Sequence, residues 1–104
     1  MRLLKTSEIK TGNIYTVRQP DDKAPYFTDM KELVLAQNKK DLICLILDFT
    51  PTDEERKVFA KLSFNDFIKN EHELIQKYEE QMVMHEKRGK EIISFEGDIL
   101  KYLE

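Results

Sequence analysis

The sequence predicts an α+β fold: a small antiparallel sheet drawn mostly from the first 63 residues, followed by a C-terminal helical part. Three observations carry this. β-Branched and aromatic runs dominate before residue 64, and two cap-x-x-acid spacings, Ser63 with Asp66 and Asn70 with Glu73, open a helical period after it. Between them, two apolar runs stand around a four-residue polar connection, Asn38-Lys39-Lys40-Asp41, which is the pattern of a hairpin. The chain has 104 residues, 40% hydrophobic and 36% charged, with Leu, Ile, Val and Phe numbering 30 against a net charge of −3, a globular composition. At this size about two thirds of the unfolded surface can be buried, so one domain over residues 1–104 is expected.

Each element has its own signal. Gly12-Asn13 turns the chain into Ile14-Tyr15-Thr16-Val17, a strand near 13–18. Two prolines and two aspartates between Gln19 and Pro25 make a loop, since Pro offers no N–H to a ladder. Strands at 32–37 and 42–48 form the hairpin. The second has no polar residue on either face from Leu42 to Leu47, so it is expected to be buried on both sides and central, with Cys44 as a small packed hydrophobe. Residues 50–64 carry two signals. Thr52 and Glu55 fit a capping box, whereas Val58, Ala60, Leu62 and Phe64 alternate; a strand at 57–63, covering the hairpin's edge, is preferred. A short helix at 64–69 and a longer one at 71–88, ended by Gly89, follow. A strand at 91–95 and a short helix at 98–103 capped by Asp98 complete the chain.

The run Glu8-Ile9-Lys10-Thr11-Gly12-Asn13-Ile14-Tyr15 resembles the opening of a small SH3-like or PUA-like barrel strand, and the resemblance implies that the sheet closes in that way.

Charge and motifs narrow the function. Residues 1–23 sum to +2, residues 24–64 to −1 and residues 65–104 to −4, with a pI near 5.5, so the dense basic stripe of a duplex-binding protein is absent. The longest apolar run is far below the roughly 20 residues of a membrane span. No apolar stretch follows Arg2 and Lys5 as a secretory signal requires, and one Cys suits a reducing compartment; a cytoplasmic protein with no membrane contact is expected. His72 and His85 lie thirteen residues apart, about 20 Å along a helix, with no His, Cys or Asp at the spacing of a zinc site, so no metal and no cofactor is expected. No phosphate loop, nucleophile elbow or C-x-x-C occurs, so an enzyme is not expected either.

Binding remains. The favoured expectation is a small non-catalytic regulatory protein that binds another protein through its acidic helix and adjacent surface, with Glu79, Glu80, Val83, Met84, Glu86 and Lys87 as interface candidates. An alternative is a small-barrel module for RNA or single-stranded DNA, stacking bases on Tyr15, Tyr26 and Phe27 and meeting phosphates with Arg18, Lys39 and Lys40. A second alternative is a self-associating structural protein, a homodimer joined through a sheet edge or the terminal segment.

Overall fold

Five antiparallel strands in the order β4-β3-β2-β1-β5 organise the chain in a computed structural model that describes residues 3–20 and 27–99. They are β1 (Asn13–Pro20), β2 (Phe27–Gln37), β3 (Asp41–Ile46), β4 (Met82–Glu86) and β5 (Ile92–Asp98). Three short helices, α1 (Asp53–Phe59), α2 (Phe64–Lys69) and α3 (Glu73–Lys77), lie between β3 and β4. The architecture is therefore α+β with a small antiparallel sheet, and among the described residues that sheet is open: β4 and β5 are its outer strands, and the barrel form that the N-terminal resemblance implies is not made.

The hairpin of β2 and β3 turns on Asn38, whose Oδ1 accepts from the backbone N–H of Lys40 (2.8 Å) and Asp41 (2.7 Å), the side chain taking the role of a backbone turn. As expected, β3 is apolar on both faces, Leu42 and Cys44 on one and Ile43 and Leu45 on the other. It is the second strand rather than the middle one, which is β2. β2 starts earlier than its apolar run, because Phe27 to Lys31 complete the ladder against β1. Its pairing with β3 shifts between Val34 and Ala36. Leu35 and Ala36 consequently both face the helices, whereas Val34 and Gln37 face the other side.

The helices bury Phe59, Phe67, Leu74 and Ile75 against Ile14, Leu33, Leu35, Ile43 and Leu45. Each such side chain contributes about 1.5–3 kcal/mol when fully buried. The opposite, inner face holds Tyr15, Val17, Val34, Leu42, Cys44 and Ile92 under Ile9 and Leu4 of the N-terminal segment.

Three expectations are corrected. Residues 57–63 are not a strand: Thr52 and Glu55 complete the capping box, and α1 runs through Phe59. Val58, Phe59 and Leu62 turn inward at helical spacing while Ala60 is exposed, so the apparent alternation was incidental. The long helix at 71–88 is likewise absent. α3 stops at Tyr78, whose ring stacks on Phe49 at 4.4 Å, and a 3₁₀ turn at Glu79–Gln81 leads into β4. The open side of β3 takes up Met82 to Glu86, with Met82 and Met84 on the helix-covered face and Val83 and His85 on the inner one. Finally, Asp98 is not a helix cap but the last residue of β5, where it pairs with Asn13; residues 100–103 of the expected helix lie outside the described residues.

The sheet is strongly curled about its inner face. His85 of β4 pairs with Leu42 and Glu32 of β2 pairs with Ile46, so a flat sheet would hold their backbones about 16 Å apart, two strands across and four residues along. That exceeds the combined reach of the two side chains, yet His85 Nε2 and Glu32 Oε1 lie 2.7 Å apart. The curl makes the inner face concave.

Candidate functional site

Two places combine accessibility or chemistry with definite geometry: the outer edge of β4 and the concave inner face beneath it.

Among the described residues β4 pairs with β3 alone. Lys87 N donates to Lys40 O (2.8 Å), which makes 40 and 87 a hydrogen-bonded pair; by alternation 42 and 85, and 44 and 83, are also such pairs. The backbone N–H and C=O groups of Met82, Met84 and Glu86 therefore point outward along the edge. Met84 is 51% exposed and lines, with Ile43, Phe67, Ile75 and Met82 and with the polar Asn70 and Glu79, a groove of about 190 Å³ between β4 and the helices.

The interface candidates all fall on this edge, though not on a helix. Glu79 and Glu80 are exposed in the 3₁₀ turn that precedes β4, Glu86 is exposed at its end, and Lys87 follows it half-buried. Val83 and Met84 do not share a face: Val83 packs inward against the Tyr15–Leu42–Cys44 cluster, and Met84 points out. The same pairing brings together two basic groups that are far apart in sequence. Lys39 and Lys40 join Lys87 and Arg88 around a cleft of about 450 Å³, which Asp41 and Glu86 also line.

The nucleic-acid candidates are not brought together. Tyr15 is buried, its hydroxyl accepting from Lys10 N (2.9 Å) and Asn13 Nδ2 (3.3 Å). Arg18 is held by Asp29 at 2.9 and 3.2 Å and lies 3.8 Å over the ring of Phe27, a polar patch on the helix side of the sheet. Lys39 and Lys40 sit at the hairpin, and Tyr26 lies outside the described residues.

On the inner face a polar cluster interrupts the apolar lining. Glu32 and Cys44 are fully buried and His85 is 4% exposed. Glu32 accepts from Gln19 Nε2 through Oε2 (2.6 Å) and meets His85 Nε2 through Oε1 (2.7 Å); the Gln19 amide nitrogen is 3.1 Å from the same ring nitrogen. Burial, then the nearby Glu32 carboxylate, pushes the Cys44 thiol up. The carboxylate oxygens, the thiol and the imidazole come from β2, β3 and β4, with one donor atom of each within 4.8 Å of the others. Spacing in the sequence conceals this set, because Glu32, Cys44 and His85 converge only through strand pairing and curl. The available signal was a period: Glu32 stands two before Val34, and His85 two after Val83, polar residues in phase with inward apolar ones.

A separate charged group fastens α1 to α3. Glu55 accepts from Thr52 N (3.0 Å) and Lys77 Nζ (3.1 Å), and a hydrogen bond from Tyr78, with these, holds its carboxyl down to about 2. His72 is the cap of α3, its Nδ1 accepting from Leu74 N (3.0 Å). No described helix is long and apolar enough to cross a membrane.

No protein-family model, curated protein or solved structure matches the chain.

Proposed function

We propose that the protein acts without catalysis, by binding an extended segment of another protein that adds as a further strand to the outer edge of β4. The observation that carries this is the edge itself: outward-facing backbone groups at Met82, Met84 and Glu86, an exposed Met84 and a mostly apolar groove alongside. Strand addition draws affinity from such backbone groups and specificity from the pockets for alternate side chains. Soft, unbranched methionines adapt to varied partner side chains.

Charge order selects the occupant. Glu79 and Glu80 precede β4, and Lys87 and Arg88 follow it with Lys39 and Lys40 beside them. An antiparallel occupant passes the basic end first, so it is acidic at its start, apolar in the middle and basic at its end. Residues 79–88 of this chain have that order themselves. This favours a second reading, in which a second copy pairs β4 with β4 about a twofold axis at Met84, placing Glu80 opposite Arg88. The RNA or single-stranded DNA reading has less support, since its residues lie apart and Tyr15 is buried.

The test is a titration of the isotope-labelled chain with a synthetic peptide of residues 79–88, alongside sedimentation of the chain alone. Chemical-shift changes and slowed hydrogen exchange at Met82, Met84 and Glu86, abolished by Met84→Lys, are expected for strand addition. Dimerisation of the chain alone, lost in Met84→Lys, assigns the edge to a second copy. A monomer whose β4 amides are untouched by the peptide overturns the proposal.

A further inference from the structure

We propose that Glu32, Cys44 and His85 form a binding site for a single borderline-soft divalent metal ion of the Zn²⁺ class, held on the concave inner face of the sheet.

The donor set is the first ground. A thiol sulfur, an imidazole nitrogen and a carboxylate oxygen, one from each of β2, β3 and β4, lie within 4.8 Å of one another, all buried. Sulfur with imidazole selects Zn²⁺ and its neighbours over Mg²⁺ and Ca²⁺, which take oxygen ligands. Metal–ligand bonds of about 2.0–2.3 Å in a tetrahedron put donors about 3.3–3.7 Å apart. Glu32 Oε1 and His85 Nε2, at 2.7 Å, open by about 0.6 Å, and a donor pair at the 4.8 Å bound of the set closes by at most about 1 Å. Rotamer adjustments on paired strands cover such movements.

Charge is the second ground. A divalent ion with one thiolate, one carboxylate and a neutral imidazole makes an uncharged unit, the form in which ionic groups are least costly to bury. The Cys44 proton leaves to solvent as the metal–sulfur bond forms, and the imidazole binds through Nε2 with its proton on Nδ1, so no oxidant or reductant enters.

The third ground is the group behind the ligands. Gln19 donates to Glu32 Oε2 at 2.6 Å, which occupies one carboxylate oxygen and leaves Oε1 turned toward His85. A hydrogen bond that orients a ligand in this way is a regular companion of protein metal sites. The Gln19 amide also lies 3.1 Å from His85 Nε2, so it touches two of the three ligands.

The test uses the full chain stripped with a chelator and titrated with Zn²⁺ or Co²⁺. One equivalent bound, with release of protons into a weakly buffered solution and a raised Tm, is expected. Cys44 is the chain's one cysteine, so a thiolate-to-Co²⁺ charge-transfer band in the wild-type protein assigns the sulfur ligand without any variant. Cys44→Ala removes that band, and Gln19→Leu, which leaves all three ligands, lowers affinity about tenfold. Failure of the folded wild-type chain to bind either ion overturns the proposal. So does Co²⁺ binding without the charge-transfer band, which places the ion on surface carboxylates or His72.

Discussion

Removing His85 from its buried partner gives the sharpest measure of the inner cluster. In His85→Leu the Glu32 carboxyl, fully buried, loses the contact at 2.7 Å and, among the described residues, keeps the hydrogen bond from Gln19 alone. A hydrogen bond to a charged group is worth about 1.5–3 kcal/mol, and stranding a buried charge brings the cost of breaking such a pair to about 3–5 kcal/mol. Against a total of about 5–15 kcal/mol for a domain of this size, that is a large fraction, equivalent to a fall in Tm of roughly 15–30 °C. The double variant Glu32→Leu with His85→Leu recovers part of the loss, because Val34, Leu42 and Val17 around the pair are apolar and only the half-buried Gln19 amide is left without these two partners. Urea unfolding in the presence of a chelator, with midpoint and slope both fitted, measures all three proteins without metal. Single variants each costing under 1 kcal/mol, or a double variant as unstable as the sum of the singles, would refute the coupling of the two groups.

Three further outcomes follow from other sites. The Glu55 carboxyl, held down to about 2 by Tyr78, Thr52 and Lys77, is depressed relative to the unfolded chain, so its stabilisation is full above about pH 5 and is lost as pH falls toward 2. Glu55→Gln removes about 1 kcal/mol at neutral pH, allowing for solvent screening, and flattens the acid limb of a stability–pH curve; an unchanged limb contradicts the assignment. Asn70 closes α2 in the left-handed region at φ 58°, so Asn70→Ala costs about 1 kcal/mol while Asn70→Gly is neutral or slightly stabilising, a contrast that thermal melts of the two variants decide. Cys44 is fully buried, so a thiol reagent labels it only as fast as the native structure opens; labelling at the rate of a free thiol in native buffer rejects that placement.

Local chemistry was the most legible part of the fold. Ser63 and Asp66 announced α2 with its boundaries, and the Asn38 connection announced the hairpin, because in both cases the deciding contacts are between residues a few positions apart. The capping box of α1 was equally visible at Thr52 and Glu55, but it competed with a chance alternation that only tertiary packing resolves. β4 was hidden for a different reason. Met82 to Glu86 follow helix formers with no Gly or Pro between, and what makes them a strand is the open side of β3 nearly forty residues earlier. The candidate edge residues therefore sit on a strand where the local pattern predicts a helix, and Val83 and Met84, neighbours in sequence, face opposite ways. Glu32, Cys44 and His85 were invisible to spacing rules, which detect ligands on one helix or one loop and not ones gathered by a curled sheet.

The irregular pairing at Leu35–Ala36 has a bearing on how this sequence can change. Before it, even-numbered residues of β2, Glu32 and Val34, look into the concavity; after it the odd-numbered Gln37 does so, donating to Ile9 O at 3.1 Å. The strand thus carries two opposite phases spliced at one spot. Deleting either Leu35 or Ala36 removes the bulge and leaves a regular alternation in which Glu32, Val34 and Gln37 all still look into the concavity, at the cost of one side chain of the helix-covered core. A one-residue deletion is therefore absorbed at this spot, whereas one between Thr28 and Lys31 moves every residue before it to the opposite face of the sheet. Length, at this position, is less strictly encoded than in the rest of the strand.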